Sequence, residues 1–155
     1  MSAFHQRSFS QRFGQLGDLA ESIFDKVYPR HHKLGLERPP FFMGGMLQTM
    51  RCTPDRMLRD RLVECMGVGK DRKLKVKHDK LEGLAPWNGI GPVFLFVYDS
   101  WRHEWYEAPL DDWVRQLNTC GTPRTFENDG KAYTELDVAN FPTPPQPIPE
   151  DDDAA

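Results

Sequence analysis

Thr53-Pro54-Asp55, followed by Val63-Glu64-Cys65-Met66-Gly67, is the stretch that decides how this chain is read. An aspartate follows a proline at the head of one short apolar segment, and a glutamate sits in the middle of the next. The spacing predicts two strands, at about residues 51–58 and 61–66, joined by a tight turn at Arg59-Asp60. Paired as neighbours, they would bring Asp55 and Glu64 into one small volume. Alternation along the second segment puts Leu62, Glu64 and Met66 on one face and Val63 and Cys65 on the other. Two carboxylates held close repel each other unless a cation lies between them. Hard divalent ions such as Mg²⁺ are held by one or two carboxylates together with water and substrate phosphates. The pattern therefore points to metal-assisted phosphodiester chemistry.

Pro54-Asp55…Glu64-Cys65-Met66 resembles the signature of the PD-(D/E)XK nuclease superfamily: proline-aspartate, then an acid, any residue and a lysine. The run is similar to that of its phage-encoded endonucleases and Holliday-junction resolvases. The resemblance implies an α/β (α+β) fold with a restriction-endonuclease-like core: a helix, three strands, a helix and a strand. It also implies a mixed central sheet flanked by helices, and residues 9–98 read in that order. It implies Mg²⁺ (or Mn²⁺) held by Asp55, Glu64 and the backbone carbonyl of Cys65, with Glu21 on the first helix joining directly or through water. The implied substrate is DNA, double-stranded or branched. The implied assembly is a homodimer, because a junction has two scissile strands.

The chain departs from the signature at Met66, where the superfamily has lysine. That lysine positions or polarises the attacking water and offsets phosphate charge. Methionine has neither a charge nor a proton to give. An enzyme would need a cation from elsewhere. Lys77 and then Lys75 are the first candidates, because the glycine-flanked loop after the second segment can fold them back over the site. Lys73, Lys80 and Arg56 are weaker ones. Otherwise the fold outlives its chemistry, as a catalytically inactive nucleic-acid-binding module or a phage assembly or interaction protein.

Charge supports a nucleic-acid partner. Residues 1–90 hold 16 Lys and Arg against 10 Asp and Glu, a net +6, whereas residues 91–155 hold 4 against 13, a net −9. The basic part carries the candidate site, and Arg51, Arg56, Lys70, Arg72, Lys73 and Lys80 are the candidate DNA contacts. Trp101, Trp105 and Trp113 could stack on bases or fill the core; the helical spacing of Trp113 says core. The length suits one domain over residues 1–141, with a Pro-rich acidic tail at 142–155 expected to be disordered. No apolar run approaches membrane-spanning length, and the N-terminus shows no hydrophobic signal region. Three cysteines form no even framework and read as reduced thiols of a cytoplasmic protein. His31-His32 lacks zinc-ligand spacing.

The rest of the chain supplies the frame. Residues 8–28 predict an amphipathic helix, with Ser8 and Gln11 as a capping box and Pro29 as its end. Glu21 lies at the flank of its apolar stripe. A basic connector ending at Pro39-Pro40 follows, then a first strand at 41–50 bent at Gly44-Gly45. Lys73–Lys77 alternates like a strand, but Leu74, His78, Leu81 and Leu84 also fit a helix. Val93–Tyr98 is an unbroken run of strand formers and predicts a central strand covered on both faces. Glu104–Glu107 reads as a returning edge strand and Leu110–Leu117 as a helix opened by Pro109. Residues 125–137 read as a peripheral hairpin about Asp129-Gly130.

Overall fold

The computed structural model describes residues 9–35 and 47–151, with side chains from Gln15 onward. Ser8, Pro39-Pro40 and the Gly44-Gly45 bend lie outside the described residues.

Helix α1 (Phe9–Val27) forms where the apolar repeat places it, and it buries Ala20 and Phe24 completely. Strand β1 (His32–Lys33) follows. The strand expected at 41–50 is corrected over its described end, where Gln48–Arg51 forms a helical turn, α2. Tertiary bonds hold that turn: Trp87 Nε1 donates to the Thr49 carbonyl at 3.0 Å, and Gln48 Nε2 to the Asp79 carbonyl at 2.7 Å. Strand β2 shrinks to Arg56–Met57. Before it, the chain bends so that the Asp55 carbonyl accepts from the amides of Leu34 and Gly35 at 3.0 and 3.2 Å. Strand β3 (Leu62–Val68) pairs antiparallel with β2, and the turn at Arg59-Asp60 closes with Leu58 N–H donating to the Arg61 carbonyl at 2.9 Å.

The ambiguous basic segment resolves into both alternatives in succession. Lys73–Lys77 is strand β4, burying Leu74 and Val76, and His78–Leu84 is helix α3. Strand β5 (Val93–Asp99) runs parallel to β3, with Glu64 opposite Leu95, and pairs on its other side with β6 (Glu104–Pro109). Pro109 caps helix α4 (Leu110–Cys120). Strands β7 (Thr122–Thr125) and β8 (Ala132–Asp137) form the expected hairpin, whose turn uses Gly130 at φ 68°. The hairpin is not peripheral: β8 pairs with β4 and buries Leu136.

Strand β9 (Gln146–Pro147) pairs with β6, which is therefore covered at Glu104 and Trp105 instead of forming a free edge. Within the segment expected to be a disordered tail, Gln146–Pro147 is thus laid along the sheet edge. Trp105 Nε1 donates to the Pro147 carbonyl at 2.9 Å, and Lys26 pairs with Asp151 at 2.7 Å. Proline lacks the N–H that a central strand needs, but an outermost strand can do without it.

The architecture is mixed α+β. A six-stranded mixed sheet in the order β1-β2-β3-β5-β6-β9 stands beside a three-stranded sheet in the order β4-β8-β7. On one face of the large sheet, Ala20 and Phe24 of α1 pack on Val63, Cys65, Phe96 and Tyr98. On the other, Leu95 and Val97 meet Trp113 and Leu117 of α4, together with Leu74, Val76 and Leu136 of the small sheet. Helix, three strands, helix and strand follow in the order expected from the sequence, with α2 and β4 as additions and the first strand at His32–Lys33. No helix among the described residues is long and apolar enough to cross a membrane.

Candidate functional site

The antiparallel register pairs Arg56 with Val63, so Asp55 emerges from β2 beside Glu64. Asp55 is anchored at both ends. Its carbonyl accepts from Leu34, Gly35 and Arg56, and its Oδ2 accepts from the Cys65 amide at 2.9 Å. Glu64 is 5% exposed and lies on the β3 face away from α1. The Asp55 and Glu64 carboxyls lie near enough for each to act on the other's charge. Burial first, then the charge and hydrogen bond of Glu64, raise the Asp55 pKa well above the usual carboxylate range; the Cys65 amide and Lys80 work against that rise.

Lys80 reaches the pair. From the first turn of α3, its Nζ lies 3.2 Å from Glu64 Oε1, with 34% of its side chain exposed. Glu64's charge is the main cause of the raised Lys80 pKa, which keeps the ammonium protonated. Cys52 stands close enough for its thiol to feel both Lys80 and Glu64, and burial raises its pKa.

The two lysines ranked first from sequence are engaged elsewhere. Lys75 pairs with Asp71 at 3.0 Å. Lys77 lies 3.8 Å from Asp129 and sits over the Phe126 ring at 5.2 Å. Strand placement is the reason: β4 pairs with β8 in the small sheet, with Lys75 opposite Glu135 and Lys77 opposite Tyr133, whereas Lys80 lies beyond it on α3. One sequence signal pointed to Lys80. A lysine in the first turn of a helix opposes the helix dipole, so it asks for an acidic partner nearby.

Glu21 approaches from α1. Its pKa is raised, first by burial and then by the charge of Asp55, which places the two carboxylates as neighbours. Arg56 holds it there. This arginine, a candidate DNA contact from sequence, is 5% exposed and bonded within the fold. Its Nη1 donates to Glu21 Oε1 at 2.9 Å and to the Asp55 carbonyl at 3.0 Å, while Nε and Nη2 clasp Asp25 at 2.7 and 3.1 Å. The hydrogen bond to Asp25 leads the causes that raise its pKa. The Cys65 thiol is buried on the α1 side, and burial followed by the charges of Asp55 and Glu64 pushes its pKa well up. A thiol kept protonated is a poor metal ligand, which leaves only the backbone oxygen of that residue as a donor.

The other candidate contacts divide. Arg51 and Lys70 are exposed. Arg72 bonds the wholly buried Asp99 at 3.0 Å, and Lys73 pairs with Glu135 at 3.2 Å. No group of three or more His, Cys, Asp and Glu suited to a metal occurs among the described residues. The donor set here is two carboxylates. It fits a hard cation that completes its shell with water, and Asp55, half-buried beside a second acid, lacks a full counter-charge.

The fold is similar to that of Hjc, a Holliday junction resolvase from the archaeal hyperthermophile Archaeoglobus fulgidus. The TM-score is 0.43 at 15% identity, covering 84% of this chain and 94% of that one. At that level the superposition is too loose to transfer any residue's role. No family model matches the chain, and no curated protein does.

Proposed function

We propose that the protein is a Mg²⁺-dependent (or Mn²⁺-dependent) DNA endonuclease, with branched DNA as its substrate class. The observation that carries the reading is that the β2–β3 register sets Asp55 beside Glu64, with Lys80 Nζ 3.2 Å from Glu64 Oε1. Lys80 supplies from α3 the cation that Met66 cannot supply from β3. Asp55 and Glu64 would hold the ion, with the Cys65 carbonyl as a further donor and Glu21 beside them. When bound, the ion lowers the pKa of its water and offsets charge on the phosphate. Asp55 is oriented for its role by the Cys65 amide, and the protonated Lys80 is a point charge for a phosphate oxygen rather than a base.

Melting the protein with Mg²⁺ or Mn²⁺, and incubating it with linear, nicked and four-way DNA, tests the reading. The expected result is metal-dependent stabilisation and cleavage, both lost in Asp55→Asn and Glu64→Gln. Cleavage unaltered by either substitution would overturn it. A second reading, a catalytically silent nucleic-acid-binding module, draws on Met66, which leaves β3 without the lysine of the signature. It predicts DNA binding with no cleavage under any metal.

A further inference from the structure

Trp101 is 58% exposed and is the single aromatic among the large apolar side chains that the described residues leave exposed. The other tryptophans have structural partners. Trp113 is fully buried, Trp105 stacks on Phe96 with ring centroids 5.3 Å apart, and Trp87 bonds the Thr49 carbonyl. Trp101 instead has a cation beside it, with Lys70 Nζ 5.7 Å from the ring centroid. Arg102 and His103, the next two residues, are exposed as well.

The loop that presents Trp101 is tightly held. Asp99, wholly buried, accepts from the amides of Trp101 and Arg102 at 3.0 and 3.1 Å and from Arg72 Nη2 at 3.0 Å. Ser100 donates through its amide and its hydroxyl to the Val68 carbonyl at 3.1 and 2.8 Å. Tyr98 and His103 are hydrogen-bonded at 2.7 Å. The loops after β3 and after β5 are thereby fastened to each other. The fold commits a buried aspartate and its half-buried arginine partner to a turn whose tip is a solvated indole. An aromatic face held rigid in water beside cations is the composition of a nucleobase-stacking platform.

We infer that Trp101, with Lys70, stacks an unpaired base of the DNA strand whose backbone passes the Asp55–Glu64–Lys80 site; this rests on the nuclease reading above. The register supports one strand serving both places. Val68 pairs with Asp99 on parallel strands, and Glu64 lies four residues earlier on β3. At about 3.3 Å per residue the strand ends that carry the Trp101 turn stand roughly 13 Å along the sheet from Glu64. Along a duplex that span is about four base steps at ~3.4 Å of axial rise per strand. Bases unpaired a few nucleotides from the cut are a feature of branched and frayed DNA and are missing from an intact duplex.

The test uses the full chain with a chelator present, so that binding is read without cleavage. Probes are a short oligothymidylate and a blunt duplex of equal length. Oligothymidylate should quench the indole emission of the wild type, and Trp101→Phe should abolish most of that quenching while retaining binding. Trp101→Ala should weaken oligothymidylate binding roughly ten-fold or more, the scale for losing one base–aromatic stack, and leave duplex binding within about two-fold. Trp101 is exposed, so both variants should melt like the wild type. Unchanged affinity and unchanged quenching in the variants overturn the inference but leave the nuclease reading standing if metal-dependent cleavage persists. Equal quenching by duplex and oligothymidylate also overturns it, because the indole would then be meeting backbone. A wild type that binds neither probe overturns this inference and the reading beneath it together.

Discussion

Lys80 and Glu64 meet at 3.2 Å, and their contact decides how a chain with methionine at position 66 could work on a phosphate. Lys80→Ala should lower cleavage by about 10²–10³-fold, the scale for losing one electrostatic contact in the transition state, with metal-dependent melting retained. Lys75→Ala and Lys77→Ala should cleave within a few-fold of wild type, because those side chains face Asp71 and Asp129. Single-turnover rates on one DNA substrate separate the three variants. Asp55 gives a second prediction. Its folded-state pKa lies above its unfolded value, so over an interval of pH the native carboxyl keeps a proton that the unfolded one has lost. Stability of the metal-free protein therefore falls as pH rises from about 3.9 through the folded-state pKa, and it stays lower beyond. Asp55→Asn removes that penalty. In chelator at neutral pH the variant should melt several degrees above wild type, on a scale of about 2–4 °C per kcal/mol, with the gap narrowing towards pH 4. A variant that melts below wild type at pH 7 and keeps the same gap at pH 4 would contradict this.

At the scale of elements, helix α3 carries Lys80, and its seat against α2 sets the lysine's reach. Gly83 is buried on α3, and a Cβ there would collide with Cys52 Sγ and Cβ. Alanine would ordinarily favour the helix over glycine by roughly 0.5–1 kcal/mol. Overpacking costs about 1–3 kcal/mol, so the collision wins. Gly83→Ala should be destabilised in urea and should cleave more slowly as α3 is pushed from Glu64. Adding Cys52→Ala should recover most of both losses, the coupling expected of residues in contact. This contact was not legible in the sequence, because an isolated glycine in a helical pattern does not by itself name a neighbour. Val93–Tyr98 was readable because a continuous apolar run has few other uses. Gln48–Arg51 was not, because four residues hold too little pattern to set against bonds from Trp87 and Asp79.

At the scale of the molecule, the +6 of residues 1–90 overstates the charge available to a polyanion. Arg56 and Arg72 hold α1 to the sheet and one loop to another, and Lys73 is paired with Glu135. Arg51 and Lys70 remain exposed. DNA affinity should fall with salt, and Lys70→Ala should flatten the log–log slope by about 0.9, the value for one phosphate contact. Arg72→Ala should lower stability instead, because it leaves the buried Asp99 without its cation. Fluorescence anisotropy across a salt series and a urea melt distinguish the two outcomes. A slope unchanged by Lys70→Ala would remove that residue from the DNA surface.

The sequence by itself determined the local features: the length of α1, the parallel-ready β5, the α4 start at Pro109, the β7–β8 turn at Gly130, and the nearness of Asp55 to Glu64 through a short hairpin. Each depends on periodicity, turn chemistry or a separation of a few residues, and such signals are written in neighbouring positions. Tertiary structure alone decided which lysine lies beside the acids, where the guanidinium of Arg56 goes, that Gln146–Pro147 pairs with β6 and that Asp151 reaches Lys26 of α1. Those outcomes hang on how α3, α1 and β9 are placed in space. A lysine's charge looks the same in sequence whether it points into solvent, along a sheet or at a buried glutamate. Only packing selects among the three, by setting the distance over which the charges interact.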